Sequence, residues 1–305
     1  MSSAPQTEAP APFNENPGAD IDLRTSDGVH FFAHKSNLAQ ASKVFQTMFT
    51  LPQPPSAEST SSLQCVDVSE PAGTLDKLLR MCYPLVDPPL DKTEELCAVL
   101  EAAVKYDMEH ARAVCIAALM RPERLAKDPF TVYAIAYRFR LEHETRVAAR
   151  HTLAHHPTSQ RSASYQDALA YIPATALYEL SIYRGRCVDA AYFVYSLKND
   201  DWWDQHKQTM YNCWDCREYG VAGFISITRE DHEAILGQRL ESTPCGEKVM
   251  DSTALGLAMC TFKPEYEASC KGCREDLVSV VQSIHEHLAG DVDSCIAKVK
   301  LNLAF

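Results

Sequence analysis

Residues 20–50 read Asp-Ile-Asp-Leu-Arg-Thr-Ser-Asp-Gly-Val-His-Phe-Phe-Ala-His-Lys-Ser-Asn-Leu-Ala-Gln-Ala-Ser-Lys-Val-Phe-Gln-Thr-Met-Phe-Thr, and two periods succeed one another within them. Ile21 and Leu23 sit two apart, as do Val29, Phe31 and Ala33, while Asp27-Gly28 between them is a two-residue turn signal. This predicts a β-hairpin with one apolar face. The spacing then becomes helical through Leu38, Phe45, Met48 and Phe49, with Ser36 and Ser42 placed to cap two short helices. A hairpin that runs straight into two helices buries its apolar face under its own continuation.

Outward from this stretch, residues 1–19 hold Pro5, Pro10, Pro12 and Pro17 among Ala, Ser, Glu and Asn, with no Lys or Arg. Such a composition predicts a disordered arm, and the missing basic residues exclude a mitochondrial address. On the other side, residues 51–62 are rich in Pro and Ser and read as a loop. Val66 and Val68 alternate as a third strand would, and Leu75, Leu78, Leu79 and Cys82 follow at helical spacing up to Pro84. Asp91 and Glu94 make a capping box for a helix carrying Leu96, Val99, Leu100 and Ala103, and Met108, Ala111, Cys115 and Leu119 form a further stripe. Beyond Arg121-Pro122, Asp128-Pro129 is a helix start. Helical patterns then recur with no long alternating run, so the rest of the chain is expected to be mostly helical.

The residues Asp20, Leu23-Arg24, Asp27-Gly28-Val29, Phe31, His34-Lys35, Leu38, Ala41-Ser42, Phe45 and Met48-Phe49 resemble the start of a BTB (POZ) domain, in its fungal, basidiomycete-like form. Cys82-Tyr83-Pro84 and the run from Ala103 to Met108 resemble later motifs of the same family. The resemblance implies an α+β fold: a BTB domain over residues 20–121, a small mixed sheet covered by helices, then a mostly helical domain over 122–305. It implies a protein-interaction fold rather than an enzyme fold. The charged pair characteristic of the family maps to Asp20 and Lys35, near the groove between subunits in dimeric relatives. Leu38, Phe45, Met48 and Phe49 would then be partly core and partly dimer face. A homodimer and a role as substrate adaptor for a cullin-type ubiquitin ligase are the partners this implies.

Composition narrows the function classes. The chain of 305 residues has 46% hydrophobic residues, enough for two domains with buried cores. A net charge of -12 and a pI near 5.4 argue against a sequence-independent grip on nucleic acid, which needs a basic surface. No apolar run approaches a membrane span and no signal peptide pattern opens the chain, so a soluble protein of cytoplasm or nucleus is expected. There is no Gly-rich phosphate loop, no Gly-x-Ser-x-Gly elbow and no His-Glu-x-x-His, so catalysis has no positive support in sequence.

Twelve cysteines without a secretion pattern read as thiols or metal ligands rather than disulfides. Cys65, Cys82, Cys97 and Cys115 are isolated and expected as small core residues. Cys213-Trp-Asp-Cys216 and Cys270-Lys-Gly-Cys273 are two Cys-x-x-Cys knuckles able to set four thiolates around one structural Zn²⁺ at about 2.3 Å. Plain buried thiols and a redox dithiol are the alternatives. Cys245, His206 or His232 could replace one ligand, and the Thr243-Pro244-Cys245-Gly246 segment between the knuckles resembles the tail of fungal BTB proteins. Trp202, Trp203, Tyr211 and Trp214 read as the core of a small subdomain around the first knuckle. Beside the adaptor or scaffold reading stands a nuclear transcription-associated regulator with a zinc-stabilised C-terminal domain.

Overall fold

A computed structural model of the chain describes residues 9–51, 63–156, 163–197, 229–261 and 271–305. They fall into two compact units, residues 1–124 and 125–305.

The first unit is built on a three-stranded sheet. Strands β1 (Ile21–Arg24) and β2 (His30–Ala33) pair antiparallel, and β3 (Gln64–Asp67) adds parallel to β1, giving the order β2-β1-β3. The connection between β1 and β2 is longer than the two-residue turn expected. Thr25 N–H donates to the Val29 carbonyl at 3.0 Å, leaving residues 26–28 as the loop, with Gly28 at φ +81 where glycine carries no Cβ penalty. Val29 is therefore buried beside the loop instead of lying within the strand. Ile21, Leu23, Phe31 and Ala33 put the apolar face of the hairpin wholly inside.

Helices α1 (Lys35–Ala41) and α2 (Lys43–Thr50) follow. Ser36 lies inside α1 rather than capping it, since His34 takes the cap position. Ser42 does cap α2, accepting from Phe45 N–H at 3.1 Å while its hydroxyl donates to the Tyr106 carbonyl at 2.5 Å. Helices α3 (Ala72–Arg80), α4 (Thr93–Lys105) and α5 (Glu109–Leu119) cover the sheet with Leu75, Leu78, Leu79, Leu96, Leu100, Cys115 and Leu119. The expected capping box is not formed: α4 starts after Lys92, and Asp91 pairs instead with Arg121 at 2.9 Å.

Of the arm expected to be disordered, residues 1–8 lie outside the described residues, and the remainder departs from what composition suggests. Residues 9–19 dock on the hairpin: Phe13 is fully buried, its carbonyl accepts from Phe32 N–H at 2.9 Å, and Asn16 Nδ2 donates to the Phe32 carbonyl at 3.0 Å. The Phe13 ring meets Tyr83 edge-on at 5.2 Å. Average composition hid one aromatic anchor that pairs with the otherwise open edge of β2.

Helix α6 (Pro122–Lys127) carries the chain into the second unit. There α7 (Pro129–Arg138) is buried on every side from Pro129 to Tyr137, as a helix apolar all round must be, with Asp128 capping it through Thr131 N–H. It packs on α8 (Glu142–Thr152) and α9 (Ala163–Leu169). A second layer comprises α10 (Ala174–Leu197), α11 (Arg229–Ser242), α12 (Gly246–Val249), α13 (Ser252–Thr261) and α14 (Lys271–Ile296). The Arg184 guanidinium donates to the carbonyls of Thr152, His155 and Ser242, serving the C-terminal ends of α8 and α11 together. Gly246 sits where α12 meets α14, its N–H donating to Asp293 Oδ1 at 3.2 Å.

Candidate functional site

The six residues assigned to an interface from sequence divide by burial. Asp20 and Lys35 meet through the backbone: Asp20 Oδ1 accepts from Lys35 N–H at 2.7 Å, fastening the start of α1 to the start of β1. The Lys35 ammonium instead donates to Gln64 Oε1 at 2.8 Å and stands 5.7 Å from the centre of the Phe49 ring. Leu38 and Phe45 are core residues, Phe45 stacking on Tyr106 at 4.9 Å. Met48 and Phe49 are half-buried and, with exposed Val44 and Leu51, give α2 an apolar outer strip.

A second surface was not read from the sequence as a site. Past α3 the chain runs through Pro84, Pro88 and Pro89, which hold it extended and deny it helical hydrogen bonds. Asp87, Pro88, Pro89 and Leu90 face Val114, Ala117, Ala118 and Arg121 of the α5 side across a groove of about 400 Å³. Its floor is fixed from beneath. Leu90 is buried, and Arg124 donates to the carbonyls of Leu90 and Asp91 at 3.0 and 2.9 Å and to Thr93 Oγ1 at 3.0 Å. Asp87 and Arg121 put opposite charges on the rim, each exposed, and Val86 beside the groove is 90% exposed. Small apolar side chains thus lie along the groove, with charges at its edge. The signal available in sequence was the small Val114-x-x-Ala117 row on the side of α5 opposite Cys115 and Leu119, but alanines and valines on both sides of a helix read as one core stripe.

Residues 12–122 match the family model of the BTB/POZ domain. The first unit carries a BTB/POZ domain. Such domains are protein-interaction modules, and both surfaces just described belong to it. No curated protein matches the chain.

The cysteines separate by position. Cys97 and Cys115 are buried within the BTB/POZ domain, where burial pushes the Cys115 thiol up to about 12, and Cys82 is raised to about 12 in the same way. The Cys82 and Cys115 thiols are therefore inert at neutral pH. Cys65 differs from the expectation, lying exposed on β3. Of the knuckles, Cys213, Cys216 and Cys270 lie outside the described residues, as do Trp202, Trp203, His206, Tyr211 and Trp214; Cys273 falls in the first turn of α14 and His232 in α11. Cys245 caps α12, its half-buried thiol raised chiefly by burial. No helix among the described residues is long and apolar enough to cross a membrane.

Proposed function

We propose that this protein is an interaction adaptor of the fungal, basidiomycete-like BTB type, whose groove between residues 87–90 and α5 receives an apolar segment of a cullin-type ubiquitin ligase. The observation that carries this reading is the groove itself, with Leu90, Val114, Ala117 and Ala118 along it, Asp87 and Arg121 at its rim, and Val86 exposed beside it. Val86 and its neighbour Leu85, both exposed, make a small contiguous apolar patch at the groove's edge that a docked segment would cover. The outer strip of α2, with Val44, Met48 and Phe49, is the surface on which a second copy would pair, and the helical unit supplies the surface for a substrate. A structural Zn²⁺ held by Cys213, Cys216, Cys270 and Cys273 belongs to the same reading, supported by the two Cys-x-x-Cys spacings.

The test uses the full chain and a Val86→Asp variant over an immobilised cullin N-terminal region. Binding by the native chain and at least tenfold weaker binding by the variant, with an unchanged thermal midpoint, is the expected result, since one buried charge without a partner costs more than the roughly 1.4 kcal/mol that tenfold requires. A native chain that does not bind, or a variant that binds equally well, overturns it.

A further inference from the structure

The outer face of the three-stranded sheet carries a group of side chains that protein docking at the groove does not use. The register sets Asp22 of β1 opposite Cys65 of the parallel β3, and opposite Phe32 of β2. His30 is two residues from Phe32 and so shares its face. His30 Nδ1 lies 2.8 Å from Asp22 Oδ2, and one ligand atom each from Asp22, His30 and Cys65 can be chosen such that all lie within 4.8 Å of one another.

Asp22 is only 9% exposed, and its second oxygen, Oδ1, is buried without a hydrogen-bond partner among the described residues. A buried carboxylate oxygen left unpaired is costly and calls for a ligand. The Cys65 thiol beside it is only a weak donor, and burial and the Asp22 carboxylate push it up, so it stays a thiol until an ion draws off the proton. The nearby cation on this face, Arg24, is committed elsewhere, holding Asp67 through Nε at 2.6 Å and Nη2 at 2.9 Å. With Oδ2 turned to His30, Oδ1 is the oxygen left for something that reaches the sheet from solvent, along the exposed side of Cys65.

We propose that Asp22, His30 and Cys65 form a binding site for one divalent transition-metal ion of the zinc class. A carboxylate oxygen, an imidazole nitrogen and a thiolate sulfur together are the donor set that borderline ions take and that Mg²⁺ and Ca²⁺, which need oxygens, do not. Bonds of about 2.0–2.3 Å in tetrahedral geometry separate such donors by about 3.3–3.7 Å. Closing from the present spacing asks for side-chain rotation of the order of an ångström on strands that are already hydrogen-bonded in place. The thiol gives its proton to solvent as the Cys65 sulfur bonds the ion, and three protein donors leave one position for water or for a donor from a bound partner.

The experiment titrates Co²⁺, then Zn²⁺, into the full-length chain and into Cys65→Ser, His30→Gln and Asp22→Asn variants. Thiolate-to-cobalt charge-transfer absorption and native mass spectrometry are read together. The native chain is expected to take one more ion than each variant, with at least tenfold weaker binding in the variants and a Zn²⁺-dependent rise in thermal midpoint that Cys65→Ser lacks. Ions held by the paired Cys-x-x-Cys knuckles appear equally in all four proteins and cancel in the difference. Far-UV circular dichroism identifies any variant that fails to fold; Cys65, being exposed, tolerates serine, so that comparison always remains. Equal stoichiometry and equal absorption in native and Cys65→Ser protein overturn the proposal.

Discussion

Glu70 shows how one buried acid is kept charged in the BTB/POZ domain. Its carboxylate accepts from the Tyr106 hydroxyl at 2.6 Å and from Lys105 Nζ at 2.7 Å. Burial pushes its carboxyl up, but the hydrogen bonds from Lys105 and Tyr106 and the lysine charge outweigh it and hold the group below its ordinary 4.5. A carboxyl lowered on folding stabilises the native state fully above about pH 4.5 and loses that contribution as pH falls through the folded value. Glu70→Gln is expected to cost roughly 1–3 kcal/mol at neutral pH and to flatten the acid side of a thermal-midpoint profile below pH 4.5; an unchanged profile refutes the assignment. In the second unit, Gly246 is fixed by space rather than by charge. A Cβ there would stand 2.6 Å from the Ala289 carbonyl oxygen and from Asp293 Oδ2, backbone and side chain of the adjoining helix. Gly246→Ala is expected to lose about 1–3 kcal/mol by overpacking, read as a lower urea midpoint.

Among elements, the docked segment 9–19 makes the strongest claim. Its Phe13 closes the edge of β2 by a backbone hydrogen bond and fills the space between Phe31 and Tyr83. Phe13→Ala is expected to destabilise the domain by about 3–5 kcal/mol, measured by denaturant unfolding; a change below a few tenths would show the segment to be dispensable. The same element marks where sequence reading ends. The hairpin, α2 with its Ser42 cap, and α7 with its Asp128-Pro129 start were legible because local period and cap chemistry determine them. The position of residues 9–19 was not, since a single phenylalanine among prolines leaves no period, and its partner Phe32 belongs to another element. Asp91 was misread for a related reason: its charge is claimed by Arg121, far along the chain.

At the scale of the molecule, the strand and helix order of the first unit and the helical character of the second were legible, while the groove was not. A docking surface is defined by what faces what across space, and Val114, Ala117 and Arg121 acquire their meaning only opposite Asp87 and Leu90. The charge balance carries a further expectation. With a net charge of -12, the chain should show no mobility shift of random duplex DNA at physiological salt, and a shift that strengthens as salt is lowered would favour the nuclear-regulator reading instead. Finally, Arg184 answers three carbonyls from separate stretches of backbone with one flat, forked head. A lysine carries the same charge but only a compact ammonium, and cannot fan out in that way. An exchange usually counted as mild would here unbuckle a clasp, releasing the ends of two helices at once.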